Sequence, residues 1–173
     1  MELKVLIAGK GGEGIIFMTR ILAEGAFSLG IPVISSEIHG MAQRGGSVIS
    51  QVKLGKFYSP FIPYGKADFL IATSKEEGER NQIYLKPDGI LVVNSPESLP
   101  FHINASSLAQ KLDHPKGANL ILLGFAINKM GLKEGPFLEA IDKHSPSSVR
   151  EKNKKAFLCG FFISKEENIK PLE

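Results

Sequence analysis

The chain opens with short apolar stretches separated by a segment whose apolar residues recur at helical spacing. Residues 3–8 form an apolar run that ends in glycine, which is typical of a buried strand. From Glu13 onward the helical spacing predicts a helix, which Gly30 ends and Pro32 prevents from continuing. A second apolar strand follows over 31–34. This order predicts a right-handed βαβ unit whose two strands are parallel.

The rest of the chain continues to alternate between strand and helix patterns. A polar, glycine-punctuated loop is predicted over 35–46, and two glycines with two prolines indicate another loop over 55–66. The alternating residues of 47–54 predict a half-exposed strand. The remaining predicted elements are strands at 68–72 and 90–93, the second after a turn at 87–89, a short helix after Ser74, a short strand and helix within 101–112, and helices at 118–131, 137–144 and 149–164.

These elements predict an α/β fold with three layers, in which a Rossmann-like, mostly parallel sheet carries helices on its faces and the C-terminal third is helical. A length of 173 residues suits a single domain over 1–173. The net charge of +3 comes from basic residues scattered among nearly as many acidic ones, which argues against a nucleic-acid partner. No apolar run reaches the roughly 18–20 residues of a membrane span, and the chain begins with a strand rather than a signal peptide. We therefore expect a cytoplasmic protein without a membrane partner.

The single cysteine, Cys159, limits the chemistry that the chain can perform alone. One thiol forms no disulfide within the chain, and an iron–sulfur cluster or a cysteine-rich zinc site needs several thiolates. Apolar neighbours predict that Cys159 is a buried small residue. The histidines outside the motifs are far apart and lack metal-ligand spacing, so we predict no metal site.

The strongest candidate site is the glycine-rich segment that follows the first strand. It contains Gly9, Lys10, Gly11, Gly12 and Gly14. Glycine lets backbone N–H groups approach an anion closely, and the following helix N-terminus adds unpaired donors and partial positive charge. The spacing fits the dinucleotide-binding pattern, but the only acidic residue that could hold a ribose, Glu37, comes late. No Gly-Lys-Ser/Thr follows, which argues against a nucleoside-triphosphate P-loop.

The loop after the second strand is the second candidate. It contains side chains that titrate, donate hydrogen bonds or bind anions, together with glycines: Glu37, His39, Gln43, Arg44, Gly45 and Gly46. Ligands of open α/β sheets bind beyond the carboxyl ends of the strands, so the two loops should emerge side by side and form a phosphate- or carboxylate-binding cleft. Alternatively, Arg44 only pairs with Glu37 to hold the loop, and His39 only makes a structural hydrogen bond.

Together, these two segments resemble the gamma-type subunit of 2-oxoacid:ferredoxin oxidoreductases, and in particular the beta subunit of indolepyruvate ferredoxin oxidoreductase. The family's Gly-x-Gly-Gly-Gln-Gly segment matches Gly9 to Gly14, and its Ser-Glu-x-His-Gly-Met-x-Gln-Arg-Gly-Gly-Ser segment matches Ser36 to Ser47 at every specified position. Glu13 departs from the pattern, because the family has glutamine there. A carboxylate would repel an anionic ligand, unless Glu13 points away or pairs with Lys10.

The resemblance implies oxidative decarboxylation of a 2-oxoacid to an acyl-coenzyme A, with electrons passed to ferredoxin. It also implies that thiamine diphosphate and iron–sulfur clusters lie in a large partner subunit, because this chain lacks the Gly-Asp-Gly…Asn-Asn thiamine-diphosphate motif and has one cysteine. The chain would bind no cofactor itself, would be inactive alone, and would complete the partner's active-site cleft. There, His39 and Arg44 would hold the substrate carboxylate or a phosphate of coenzyme A.

Two alternatives differ in class from an oxidoreductase subunit. One is a free-standing nucleotide- or anion-binding regulatory module with the same fold, and the other is a stand-alone dehydrogenase. The sequence also leaves open which 2-oxoacid is used, with indolepyruvate, phenylpyruvate, branched-chain oxoacids and pyruvate as candidates. Apolar surface exposed in the absence of a partner would allow the lone chain to form a homodimer.

Overall fold

The computed structural model describes residues 1–40 and 46–167, with side chains up to residue 163. In these ranges the chain forms a six-stranded sheet and six α-helices. The strands are β1 (Leu3–Lys10), β2 (Val33–His39), β3 (Ser47–Leu54), β4 (Ala67–Ala72), β5 (Leu85–Asn94) and β6 (His102–Ile103). The helices are α1 (Ile15–Ser28), α2 (Lys75–Asn81), α3 (Ala105–Lys111), α4 (Ala118–Lys129), α5 (Gly135–His144) and α6 (Arg150–Glu167).

The strand order is β2-β3-β1-β4-β5-β6, and only β3 runs against the others. This confirms the predicted α/β class and the mostly parallel sheet. The two strands of the predicted βαβ unit run parallel, as expected, but they are not neighbours in the sheet. β1 and β2 point the same way, yet β3 lies between them and pairs with both. β3 follows β2 after a short loop and therefore runs antiparallel to it. It occupies the position beside β1 that β2 would take in a direct β1–β2 pair.

Three further expectations are wrong, each for a reason that the sheet and its cover make clear. Residues 35–39, predicted as loop, extend β2 because each pairs with a residue of β3 up to the His39–Val48 pair. Polar side chains are tolerated there because β2 is the edge strand of the described sheet. β3, predicted to be half exposed, is mostly buried because α1 packs on one of its faces and Ile62 of the loop over 55–66 packs on the other. Residues 87–89 are not a separate turn but an irregularity within β5, where the pairing register with β4 shifts.

The two faces of the sheet are covered unequally. The larger core packs one face of β1, β3 and β4 against α1, α4, α5 and α6. The other face has a small cluster around Leu6, Ala8 and Leu70, which α2 and the loop over 55–66 cover. Ile62 from that loop is fully buried, and its N–H donates to Gln51 Oε1 at 2.5 Å. This second face is therefore covered by one short helix together with a loop.

Two glycines allow α4 and α6 to pack with their backbones in contact. A β-carbon at Gly124 would collide with the Phe157 carbonyl oxygen, and one at Gly160 would collide with the Ile121 carbonyl oxygen. The facing rings of Phe137, Phe157 and Phe161 are stacked beside this contact and fill the surrounding core. Cys159 on α6 is half-buried rather than fully buried, and burial raises the pKa of its thiol.

Replacing Gly124 with Ala should lower the free energy of unfolding by about 1–3 kcal/mol, because the added methyl group forces the two helix backbones apart. Urea unfolding followed by circular dichroism measures this change. Gly135→Ala is the matched control, since a β-carbon there meets nothing and φ is not positive. The control should be neutral or stabilise the chain. Equal stability of Gly124→Ala and the wild type would contradict the close packing.

Candidate functional site

The glycine-rich segment leaves β1 at the carboxyl edge of the sheet and turns directly into α1. Gly14 adopts a φ of +77° immediately before the helix, and the side-chain amide of Asn119 from α4 occupies the place of a β-carbon. At Gly9 the constraint is space, because a β-carbon there would collide with Thr73, Ile15 and the Glu13 carboxylate. Both positions therefore need glycine, one for its backbone angle and the other for space.

Glu13, the residue that departs from the family pattern, turns back into its own loop. Its Oε2 accepts the backbone N–H of Lys10 at 2.7 Å and the Thr73 hydroxyl at 2.5 Å. The carboxylate thus connects the loop after β1 to the end of β4. The Lys10 ammonium lies elsewhere, 3.6 Å from the Glu76 carboxylate, in an exposed pair that contributes little to stability. A glutamine side-chain oxygen could accept the same two hydrogen bonds, so the departure preserves the connection.

A backbone hydrogen bond joins the two candidate segments. Gly11 N–H donates to Gly46 O at 2.9 Å, and Gly40 N–H donates to Ser47 O at 2.8 Å. The first bond continues the β1–β3 pairing beyond Lys10–Ser47, and the second continues the β2–β3 pairing. The loops therefore emerge at one edge, as predicted. Contact between them is possible because β3 begins at the edge where β1 and β2 end.

His39 and the glycine-rich segment line a cleft of about 360 Å³, here called the histidine cleft. Its lining includes Lys10, Gly11, Gly12, Gly14, His39 and Val48. Glu37 lies beside His39 on the same side of β2, with 3.9 Å between Glu37 Oε2 and His39 Nε2. The structure therefore brings together eight of the predicted site residues: Gly9, Lys10, Gly11, Gly12, Gly14, Glu37, His39 and Gly46. Gln43, Arg44 and Gly45 lie outside the described residues.

A second cleft lies on the other side of the glycine-rich segment and was not predicted. This asparagine cleft of about 450 Å³ is lined by Gly12, Gly14, Thr73, Asn94, Lys116 and Asn119, among others. Thr73 follows β4, and Asn94 ends β5. The rule that places ligands at the carboxyl ends of parallel strands could have identified both positions, but their side chains carry no motif of their own.

The sequence also gave no sign of Glu77, which is fully buried behind the second segment. Its Oε1 accepts the Ser47 hydroxyl at 2.9 Å and Arg80 Nη1 at 2.7 Å. Ser47 is both the last residue of the second motif and the first residue of β3. The buried carboxylate thereby fixes the point where the motif joins the sheet. A glutamate on a short, polar helix carries no pattern that predicts this burial.

Three features are absent from the part of the chain that the structure describes. No group of three or more His, Cys, Asp or Glu side chains there is arranged to hold a metal ion. In the same ranges, no helix combines the length and apolar character needed to cross a bilayer. Likewise, the helices and strands described include only one cysteine, so the chain itself offers no thiolate set for a cluster.

Replacing Glu77 with Gln should lower the free energy of unfolding by about 1–3 kcal/mol, since hydrogen bonds to a buried charged group are lost or weakened. Urea unfolding measures the effect. Glu79→Gln on the exposed side of the same helix is the control and should change stability by less than about 0.5 kcal/mol. If both variants unfold like the wild type, the buried carboxylate does not secure the motif.

Comparison with known proteins identifies the family. The family model for pyruvate ferredoxin/flavodoxin oxidoreductase matches residues 4–163. The chain is 29% identical over 195 residues to indolepyruvate oxidoreductase subunit IorB of Methanothermobacter thermautotrophicus, a match that covers 96% of this chain and 100% of that subunit.

Two solved structures share the fold. The gamma subunit of a keto/oxoacid ferredoxin oxidoreductase from Geobacter sulfurreducens matches with a TM-score of 0.79 and 26% identity, over 95% of this chain and 99% of that one. A chain of the 2-oxoglutarate:ferredoxin oxidoreductase from Magnetococcus marinus matches with a TM-score of 0.83 and 23% identity, over 95% of this chain and 31% of that one. The family model matches nearly the whole length of the chain, and the chain therefore belongs to the pyruvate ferredoxin/flavodoxin oxidoreductase family.

Proposed function

We propose that this chain is the small, gamma-type subunit of a 2-oxoacid:ferredoxin oxidoreductase. In this reaction a 2-oxoacid loses carbon dioxide, coenzyme A accepts the acyl group, and ferredoxin accepts the electrons. Membership of the family and the full-length match to an indolepyruvate oxidoreductase subunit support the assignment. Under this proposal residues 1–173 act as one domain within a larger assembly, in the cytoplasm, and the isolated chain is inactive.

The residues of this chain do not suit the cofactors of that reaction. An iron–sulfur cluster needs several thiolates, whereas Cys159 is the only cysteine, and burial raises the pKa of its thiol. The chain also lacks the thiamine-diphosphate motif. We therefore assign thiamine diphosphate and the clusters to a large partner subunit, where they supply the decarboxylation and the electron transfer. Ferredoxin would meet the assembled complex rather than this chain alone.

The observation that carries the site proposal is the hydrogen bond from Gly11 N–H to Gly46 O. It supports the view that both motif segments form one wall of the partner's active-site cleft. The N-terminus of α1 would contribute N–H donors and partial positive charge toward an anion, and Lys10 would add a full positive charge. Gly9, Gly12, Gly14 and Gly45 would keep the backbone close to the ligand.

We assign the charged side chains of the second segment to the same ligand. His39 and Arg44 would hold the substrate carboxylate or a phosphate of coenzyme A, and Gln43 would donate a further hydrogen bond. Glu37 would orient His39, to which it lies close. The Glu13 carboxylate accepts hydrogen bonds from the Lys10 backbone and from Thr73, which is consistent with an anion bound on the opposite side of the loop.

Purification of the chain from extracts of its native cells tests the subunit assignment. We expect a large subunit to copurify, together with thiamine diphosphate and the visible absorption of iron–sulfur clusters. A chain that elutes alone and colourless, and that binds a nucleotide or another anion by itself, would instead support a free-standing binding module.

Replacing Arg44 with Ala in the assembled enzyme tests the site assignment. A charge-assisted hydrogen bond is worth about 1.5–3 kcal/mol, so its loss should raise the KM for coenzyme A or the 2-oxoacid roughly tenfold or more. Steady-state assays of ferredoxin reduction measure this. Arg20→Ala, on the exposed side of α1, is the control and should behave like the wild type. Unchanged kinetic constants for Arg44→Ala would rule the role out.

A further inference from the structure

Two lysines face each other at the opposite end of the sheet from the candidate site. Lys4 on β1 pairs directly with Lys53 on β3. Both ammonium groups lie over the ring of Phe57, at 5.7 Å and 5.1 Å from its centre. With the neighbouring Lys56 and Tyr58, these residues form what is here called the lysine–aromatic surface.

Neither lysine ammonium group forms an ion pair with a described side chain. The neighbouring Asp68 carboxylate accepts the backbone N–H of Lys4 and pairs with the Lys86 ammonium group instead. Among the described side chains, no carboxylate lies within 4.0 Å of either ammonium group. Like charges directly opposite each other on paired strands are destabilising. Lys53 is only 7% exposed, and its burial, together with the charge of Lys4, lowers the pKa of its ammonium group. The Phe57 ring compensates part of this cost, because each ammonium group is attracted to its face.

Further aromatic side chains are exposed on the loop that carries Phe57. Tyr58 is fully exposed, and Phe61 and Tyr64 on the same loop are each more than half exposed. A shallow cleft of about 260 Å³ separates this loop from the start of β2, with Ile34 and Phe57 in its lining. Aromatic residues next to cations are enriched where protein surfaces bind each other.

The loop that presents these rings is firmly held. Gly55 N–H donates to Pro32 O at 2.8 Å, Ile62 is fully buried, and the Tyr64 ring packs edge-on against Tyr84. A surface that is already ordered loses little conformational entropy when a partner binds. The exposed rings therefore lie on an ordered surface and not on a frayed loop.

From these observations we propose that the lysine–aromatic surface docks a carboxylate-bearing segment of the large partner subunit. An acidic side chain there would pair with the more accessible Lys4 and offset its repulsion from Lys53, and apolar groups beside it would cover Tyr58 and Phe57. The proposal rests on the subunit role proposed above. Lys4 lies six residues from Lys10 along β1, roughly 20 Å at about 3.3 Å per residue, so docking here leaves the histidine cleft open.

Affinity between the purified subunits tests the proposal. Lys53→Met keeps the buried apolar stem and removes the charge, and Tyr58→Ser removes only exposed surface. We expect each to weaken binding of the large subunit at least tenfold in a biolayer or calorimetric titration. The affinity of Lys53→Met for the large subunit should also fall less steeply as salt is added, because one positive charge is gone. Lys111→Met and Phe27→Ser, exposed residues on α3 and α1, are the matched controls and should bind like the wild type.

The stability of the isolated chain separates docking from a structural role. Removing the Lys53 charge relieves its repulsion from Lys4, so the variant alone should melt at the wild-type temperature or higher while its complex weakens. Should Lys53→Met fail to fold, Tyr58→Ser decides, because its side chain lies wholly on the surface. Wild-type affinity in both variants would overturn the docking surface and leave the subunit role intact. If the wild-type chain itself binds no large subunit, the subunit role is overturned, and the docking proposal with it.

Discussion

The arrangement of the candidate site depends on one strand that runs against its neighbours. β3 begins at the edge where β1 and β2 end, and it pairs with both along nearly its whole length. This places Gly11 within backbone hydrogen-bonding distance of Gly46, which a direct β1–β2 pair would not do. Because antiparallel pairing fixes the register residue by residue, the contact between the two segments is set by the sheet and not by the loops themselves.

The unequal cover of the sheet separates the roles of its two faces. Four helices bury one face, so that face supplies most of the apolar stabilisation. The other face has α2 and a loop, and it contains the buried polar residues Gln51, Lys53 and Glu77. Gln51 and Glu77 are satisfied within the chain, whereas Lys53 lacks a carboxylate among the described side chains. The same face thus combines internal anchoring with surface suited to a partner.

Much of this fold follows from local sequence patterns. The apolar runs of β1 and β4 and the helical spacing of α4 predict their elements because burial on both sides leaves a strong signal. The extension of β2 to His39 was missed because an edge strand can carry polar residues on its exposed side. The burial of β3 was missed because part of its cover comes from the loop over 55–66. A loop that folds back over a strand leaves no periodic pattern in the sequence.

The candidate site could be predicted only in part from the sequence. Glycines and charged residues in two motifs indicated an anion-binding edge, and the structure brings the described ones together. Glu77 and Asn119 were missed as site residues because their roles arise from contacts across long stretches of sequence, with Ser47 and Gly14 respectively. Only the folded chain reveals such contacts, since neither residue differs in type from an ordinary surface residue.

The close contact between α4 and α6 also limits how this chain can move. At Gly124 and Gly160 each helix occupies the space that a side chain would need on the other. Sliding one helix by a single residue would bring a β-carbon against a carbonyl group, so small shear displacements between them are blocked. Any rearrangement of this chain would therefore move α4 and α6 together, with its hinge outside these two helices.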